Sequence, residues 1–341
     1  MVERSLENFD YWLKLHSLPL HFPRLSQIDD PESGPFLRNG GEEIRQITEQ
    51  VQGAFRSMIV FPPGQGASTM LSELVRRLRA SDVRLYQLLV VIDVARFRDA
   101  DDLPSDLDAF IRRDLFEQLI LQGWVRALFG QRQQQLLSLF GVPSEKDLFD
   151  LEYDLRARQP SANERLSTIA EGFAGRTAEL YRRLYEQLGL SVTLAFDFPW
   201  AADDELVLEI FREVKWFDEN EKPRGFPPSA LRETYFLTRK QANLAKSVWT
   251  VNFADWEFKP YGEGEVFSIL SHHFRPYSGV RHYPLINALS DAFISRVWAE
   301  GSPLAEMMDK LKQEMLRALD LPRGRTPYTL EPKTAPRGGQ S

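Results

Sequence analysis

Apolar positions recur along this chain with two periods, and the two alternate. Ile44, Ile47 and Val51 stand at helical spacing, with Phe55 one turn on, which predicts a helix from Glu42. The short run Met58-Ile59-Val60 predicts a first strand. Met70, Leu71, Leu74, Val75 and Leu78 then make one apolar helix face. Arg84 to Asp93 predicts a second strand, nearly all apolar in its second half, as suits a parallel strand covered on both faces. Asp106 to Phe129 predicts a long helix with Leu107, Phe110, Ile111, Leu115, Leu119 and Ile120 on its buried side. Residues 131–162 are polar, and are expected to be a helical insertion ending before Pro160. Ser161 is placed to cap a second long helix, Asn163 to Leu188. Ser191 to Phe198 predicts the third strand, followed by a helix from Asp203 to Phe217. Glu233–Thr238 and Val248–Phe253 predict a fourth and a fifth strand, with Trp256 to Tyr261 leading out.

From Gly262 the pattern is wholly helical. Val266, Ile269 and Leu270 mark one helix, Leu285, Leu289, Phe293 and Val297 a second, and Leu304, Met307, Met308, Leu311, Met315 and Leu319 a third. Strands alternating with helices, then a helical bundle, argue an α/β core with a mostly parallel sheet of about five strands, followed by a small all-α lid. The expected organisation is a proline-broken lead-in at 1–40, an α/β domain at 41–261 with its helical insertion near 131–188, a helical lid at 262–320 and a disordered tail at 321–341.

The chemistry concentrates in Phe61-Pro62-Pro63-Gly64-Gln65-Gly66-Ala67-Ser68-Thr69, between the first strand and the helix it feeds. Gly64 and Gly66 let the backbone curl so that successive N–H groups face inward at an anion. The helix behind adds unpaired N–H groups and a positive dipole end. The hydroxyls of Ser68 and Thr69 stand where such a loop holds a Mg²⁺ ligand. A plain strand-to-helix turn is the competing reading of Gly64-Gln65-Gly66. The third strand ends in Asp197, which suits either a backbone hydrogen bond at the strand end or a metal role.

The loop resembles the GPPGxGK[ST] loop of AAA+ ATPases, and the order of elements resembles AAA+ and STAND-type P-loop domains over roughly residues 36–320. Members of these families commonly begin with a Gly-then-acidic start, here Gly41-Glu42-Glu43. The resemblance implies a nucleotide-binding site at Gly64, Gly66, Ala67, Ser68 and Thr69. It implies Asp197 as the residue that reaches a Mg²⁺-bound water. If a cofactor binds, it is ATP or ADP with Mg²⁺. The departures are specific. Phe61 stands where the first glycine belongs, Ala67 where the phosphate-binding lysine belongs, and Phe198 where an acidic residue would orient the attacking water. Gly301-Ser302-Pro303-Leu304 matches a lid motif whose arginine position holds Leu304. Three positions that would handle phosphate charge are thus apolar. The expectation is a non-hydrolysing interaction or regulatory module, not an enzyme, that works with a protein partner or as a homo-oligomer. The alternative is an unconventional ATPase, in a nucleic-acid-processing or defence system, that borrows a cation such as Arg239 or Arg296.

Bulk properties narrow the rest. The 341 residues are 43% hydrophobic and 27% charged, as in ordinary globular chains. A net charge of −7 disfavours nucleic acid as a partner. No apolar run is long enough to span a bilayer and no leader is visible, so a cytoplasmic location is expected. With no cysteine, disulfides and thiolate chemistry are excluded. Adjacent His272 and His273 face different sides of a helix and cannot share a metal there, and His282 reads as an ordinary histidine. The methionines at 307, 308 and 315 read as lid core. Arg239 and Lys240 read as a solvated basic turn or an arginine finger in trans.

Overall fold

A computed structural model of the chain describes residues 42–80, 86–173, 177–221, 226–262, 264–266 and 306–307. The chain divides into two compact units. One comprises Arg45–Val60 and Arg77–Glu257; the other comprises Met1–Ile44, Phe61–Arg76 and Phe258–Ser341. The lead-in at 1–40, the tail at 321–341 and most of the expected lid lie outside the described residues. So do His272, His273, His282, Arg296, Leu304, Met308 and Met315. Within the lid range, residues 264–266 and 306–307 are helical.

The first unit is built on a five-stranded sheet. Its strands are β1 (Arg56–Phe61), β2 (Gln87–Asp93), β3 (Ser191–Asp197), β4 (Leu231–Thr238) and β5 (Ala254–Glu257), in the spatial order β2-β3-β4-β1-β5. The pairs β2–β3, β3–β4 and β1–β5 run parallel. Parallel strands cannot be joined by tight turns, so helices carry the crossovers. The fold class expected from the apolar pattern is the one found. The central strands β3 and β4 are buried almost throughout, though β4 carries Arg232, Glu233 and Thr234 among its apolar residues.

The longer helices among the described residues are α1 (Glu42–Gly53), α2 (Ala67–Ala80), α3 (Leu103–Leu121), α4 (Trp124–Phe140), α5 (Glu145–Arg156), α6 (Pro160–Gly172), α7 (Thr177–Leu188), α8 (Asp204–Trp216) and α9 (Arg239–Val248). Side-chain caps open several of them. Asp203 accepts from the Leu206 N–H at 2.8 Å, and Thr238 and Gln241 form a reciprocal capping box at the start of α9. The insertion is not a separate body. Leu136, Leu148, Leu151, Leu166, Leu180 and Leu184 share one apolar core with Leu88 and Val90 of β2 and Val192 and Phe196 of β3.

Four expectations need correcting. The helix expected over Asp106–Phe129 is two, because Gly123 turns left-handed at φ 77° and ends α3 before α4 begins. The helix expected over Asn163–Leu188 is also two, α6 and α7; Pro160 is the first residue of α6, with Gln159 rather than Ser161 at its cap. Val248–Phe253 is not a strand; the fifth strand is Ala254–Glu257. Arg239 and Lys240 do not sit in a basic turn but open α9.

Strand β2 lies at one edge of the sheet, and a side chain closes part of that edge. The buried Gln118 of α3 accepts from the Leu89 N–H at 3.1 Å and donates to the Leu89 carbonyl at 2.7 Å. One amide thus stands in for a neighbouring strand, leaving no open template there. Gln118→Leu keeps the volume but strands two backbone groups. Each such group costs about 1–3 kcal/mol when buried unpaired. We expect Gln118→Leu to lower the unfolding free energy in urea by about 2–4 kcal/mol. A loss below 1 kcal/mol would mean that water reaches Leu89.

Candidate functional site

The glycine loop sits where the sequence puts it, between β1 and α2, and β1 is an interior strand flanked by β4 and β5. Gly64 has φ 64° and Gly66 φ 86°, both left-handed. A Cβ at Gly66 would lie 3.9 Å from Thr69 Cβ and 3.9 Å from the Tyr261 hydroxyl, an ordinary contact distance. Glycine is therefore required by the backbone angle and not by lack of room.

Beyond Gly66 the first turn of α2 begins. Ala67, Ser68 and Thr69 are its opening residues, and their N–H groups have no carbonyl four residues back within the helix. The first bond joining loop to helix is Met70 N–H to the Gly66 carbonyl, 2.9 Å. Ser72 Oγ donates to the Ser68 carbonyl at 2.9 Å. Residues 64–69 are all half-buried. From Phe61 to Ser72 no side chain is ionisable. Within 61–72, therefore, only backbone N–H groups and the helix end could attract an anion. At position 67 the loop carries an alanine, which supplies no cation.

Asp197 belongs to the other unit. It ends β3, buried, in register with Asp93 of β2 and Phe236 of β4. Asp93 already accepts from the Ala95 N–H at 3.0 Å. Among the described residues, no group of three or more His, Asp or Glu side chains is gathered as a metal site.

Phe198, next in the chain, is core. It is 2% exposed, stacks on Phe211 of α8 with centroids 5.5 Å apart and planes 9° apart, and lies 6.4 Å from the Phe196 ring. Its N–H donates to the Phe236 carbonyl at 2.9 Å. A carboxylate could not occupy this position ionised without a partner.

The two cations weighed as fingers are engaged. Arg239 pairs with Glu257 of β5, and Lys240 Nζ lies 2.7 Å from Asp204 Oδ1. Both stand in the first turn of α9, the wrong end of a helix dipole for a cation, and the acids offset that.

Sequence reading missed the loop's own supports. Gln65 Oε1 accepts the Tyr261 N–H at 2.8 Å, and the Phe61 ring stacks on Phe258 at 4.9 Å. The apolar character of Phe61 and Phe258 was the only available signal, and it does not name a partner.

No family model matches this sequence, and no curated protein matches it. Among solved structures, that of the Aeropyrum pernix Orc1 protein in complex with DNA is similar with a TM-score of 0.34 and 14% identity. The match covers 74% of this chain and 54% of that one, so this chain spans about half its length. No described helix is long and apolar enough to cross a membrane. The sheet order, the parallel pairs and the glycine loop between an interior strand and its helix together give the chain a P-loop NTPase-like fold.

Proposed function

We propose that this chain is a P-loop-type domain that keeps the shape of a phosphate cradle and does not hydrolyse nucleotide, and that it acts as an interaction or regulatory module with a protein partner or a second copy of itself. The observation that carries the reading is Phe198. At the position where a catalytic acid would stand, the chain places a ring locked in the core against Phe211. Ala67 removes the phosphate-binding cation from the loop in the same direction. A site without its acid and its lysine lacks both water activation and charge neutralisation, the two things phosphoryl transfer most needs from protein.

The test is nucleotide binding and turnover on the purified chain. No release of phosphate from Mg-ATP above the protein-free rate is expected. Ala67→Lys restores a point charge at the loop. A charge-assisted hydrogen bond contributes about 1.5–3 kcal/mol, so binding of a fluorescent ATP analogue should tighten about tenfold or more. Steady phosphate release by the unaltered chain, abolished by Asp197→Ala, would overturn the proposal in favour of an unconventional ATPase.

A further inference from the structure

The loop is held from one side by the segment Phe258–Val266, within the same compact unit. Phe61, where the family resemblance expects glycine, is 2% exposed and stacks on Phe258 with planes 22° apart. Phe258 meets Tyr261 edge-on at 5.3 Å. Tyr261 then reaches the loop twice. Its N–H donates to the Gln65 side chain at 2.8 Å, and its hydroxyl lies near Gly66. The chain is pinned again immediately afterwards. Gly262 N–H donates to Glu265 Oε2 at 2.8 Å, and Val266 N–H to the Gly262 carbonyl at 3.0 Å. These last two bonds have the pattern of a helix start.

From these contacts we infer that the Phe61–Phe258–Tyr261 rings and the Gln65–Tyr261 hydrogen bond form a clasp that keeps the loop curled without any ligand. Successive N–H groups in a turn of this kind can form a concavity that a bound anion would order. Here two left-handed glycines would otherwise leave the backbone with much freedom. The clasp supplies the order instead, through a buried aromatic ladder and one side-chain acceptor. Phe61 is then no mere loss of a glycine. It anchors the loop's entry, as Gln65 anchors its middle. The inference deepens the proposed function, since a module whose shape must not depend on nucleotide needs its loop held by its own chain.

The test is amide hydrogen exchange on the full chain, resolved to single residues. The reporting amides are Tyr261, bonded to Gln65, and Met70, bonded to the Gly66 carbonyl. Without ligand both should be protected, and millimolar Mg-ATP should leave the Met70 rate unchanged. Gln65→Ala should speed Tyr261 exchange about tenfold, the size of one lost hydrogen bond, and Met70 exchange severalfold, with β3 amides unaffected. Phe258→Leu keeps an apolar core but shortens the stack, and should speed Met70 as well. A Met70 rate untouched by both variants would overturn the clasp. So would a Met70 amide that becomes protected only when Mg-ATP is added. Phosphate release by the unaltered chain would defeat the functional reading while leaving these rates, and the clasp, standing.

Discussion

Phe198→Glu, which places an acid directly after the β3 aspartate, is expected to unfold the α/β unit. Two costs add. Truncating a buried Phe takes about 3–5 kcal/mol from a core. Placing a carboxylate there, against the Phe196 and Phe211 rings in the apolar core, adds several more. The sum is at least about 5 kcal/mol, much of the 5–15 kcal/mol that typically holds a domain together. At about 2–4 °C per kcal/mol for a unit of this size, the thermal midpoint should fall by about 10–20 °C, or the protein should not fold. Ala67→Lys makes the contrast: it stands half-buried in the first turn of α2, where a cation meets the unfavourable dipole end, and should cost no more than about 1 kcal/mol. The two substitutions are therefore unequal. One is reversible at the loop; the other is built into the core. Circular dichroism melts of both variants measure this directly. A Phe198→Glu variant with an unchanged midpoint would show that the ring is dispensable and that the fold tolerates an acid at 198.

The sheet was legible mainly through β1, β2 and β3, whose buried stretches 58–61, 88–92 and 192–196 are almost wholly apolar. Where that pattern weakened, reading failed. Val248-Trp249-Thr250-Val251-Asn252-Phe253 is rich in β-branched and aromatic residues, yet these serve a loop: Trp249 is buried, and Phe253 packs edge-on against Tyr235 at 6.0 Å. The true strand, Ala254-Asp255-Trp256-Glu257, alternates as an edge strand should. Tertiary packing, not strand propensity, chose the composition of 248–253. Helix α9 was readable in principle, because Thr238 and Gln241 have the spacing of a capping box. Gly123 was the break signal inside the expected long helix.

For the site, the glycines were readable because their left-handed angles leave few alternatives. Gln65 was not. Its partner Tyr261 is 196 residues away, and no local pattern links an amide side chain to a backbone N–H at that separation. The same holds for Gln118 and Leu89. Both glutamines satisfy particular backbone groups, a demand created only when the fold brings those groups near.

Arg56→Met is the second large effect expected, and it tests a cluster that no local pattern of residues announces. Arg56 Nε lies 2.8 Å from Glu233 Oε2, its guanidinium also pairs with Asp218, and it lies 4.4 Å from the centre of the Trp249 ring. Glu233, 4% exposed at its side chain, also accepts from the Tyr235 hydroxyl at 3.1 Å. Burial opposes the charge on Arg56, but Glu233 and Asp218 outweigh it and raise the guanidinium pKa. Burial, then the Glu233 carboxylate, holds the Tyr235 phenol protonated well above its ordinary range. The cluster joins β1 to its neighbour β4 and to the turn after α8. Methionine fills much of the arginine's volume but leaves Glu233 charged and buried with one phenol donor. Breaking a buried pair in this way costs about 3–5 kcal/mol. Adding Glu233→Gln should recover at least half of that loss, because a neutral amide leaves no uncompensated charge. Urea unfolding of the single and double variants reads both numbers. If Arg56→Met stays within 1 kcal/mol of the parent, or Glu233→Gln deepens the loss, the carboxylate is solvated and the cluster does not hold β1 to β4.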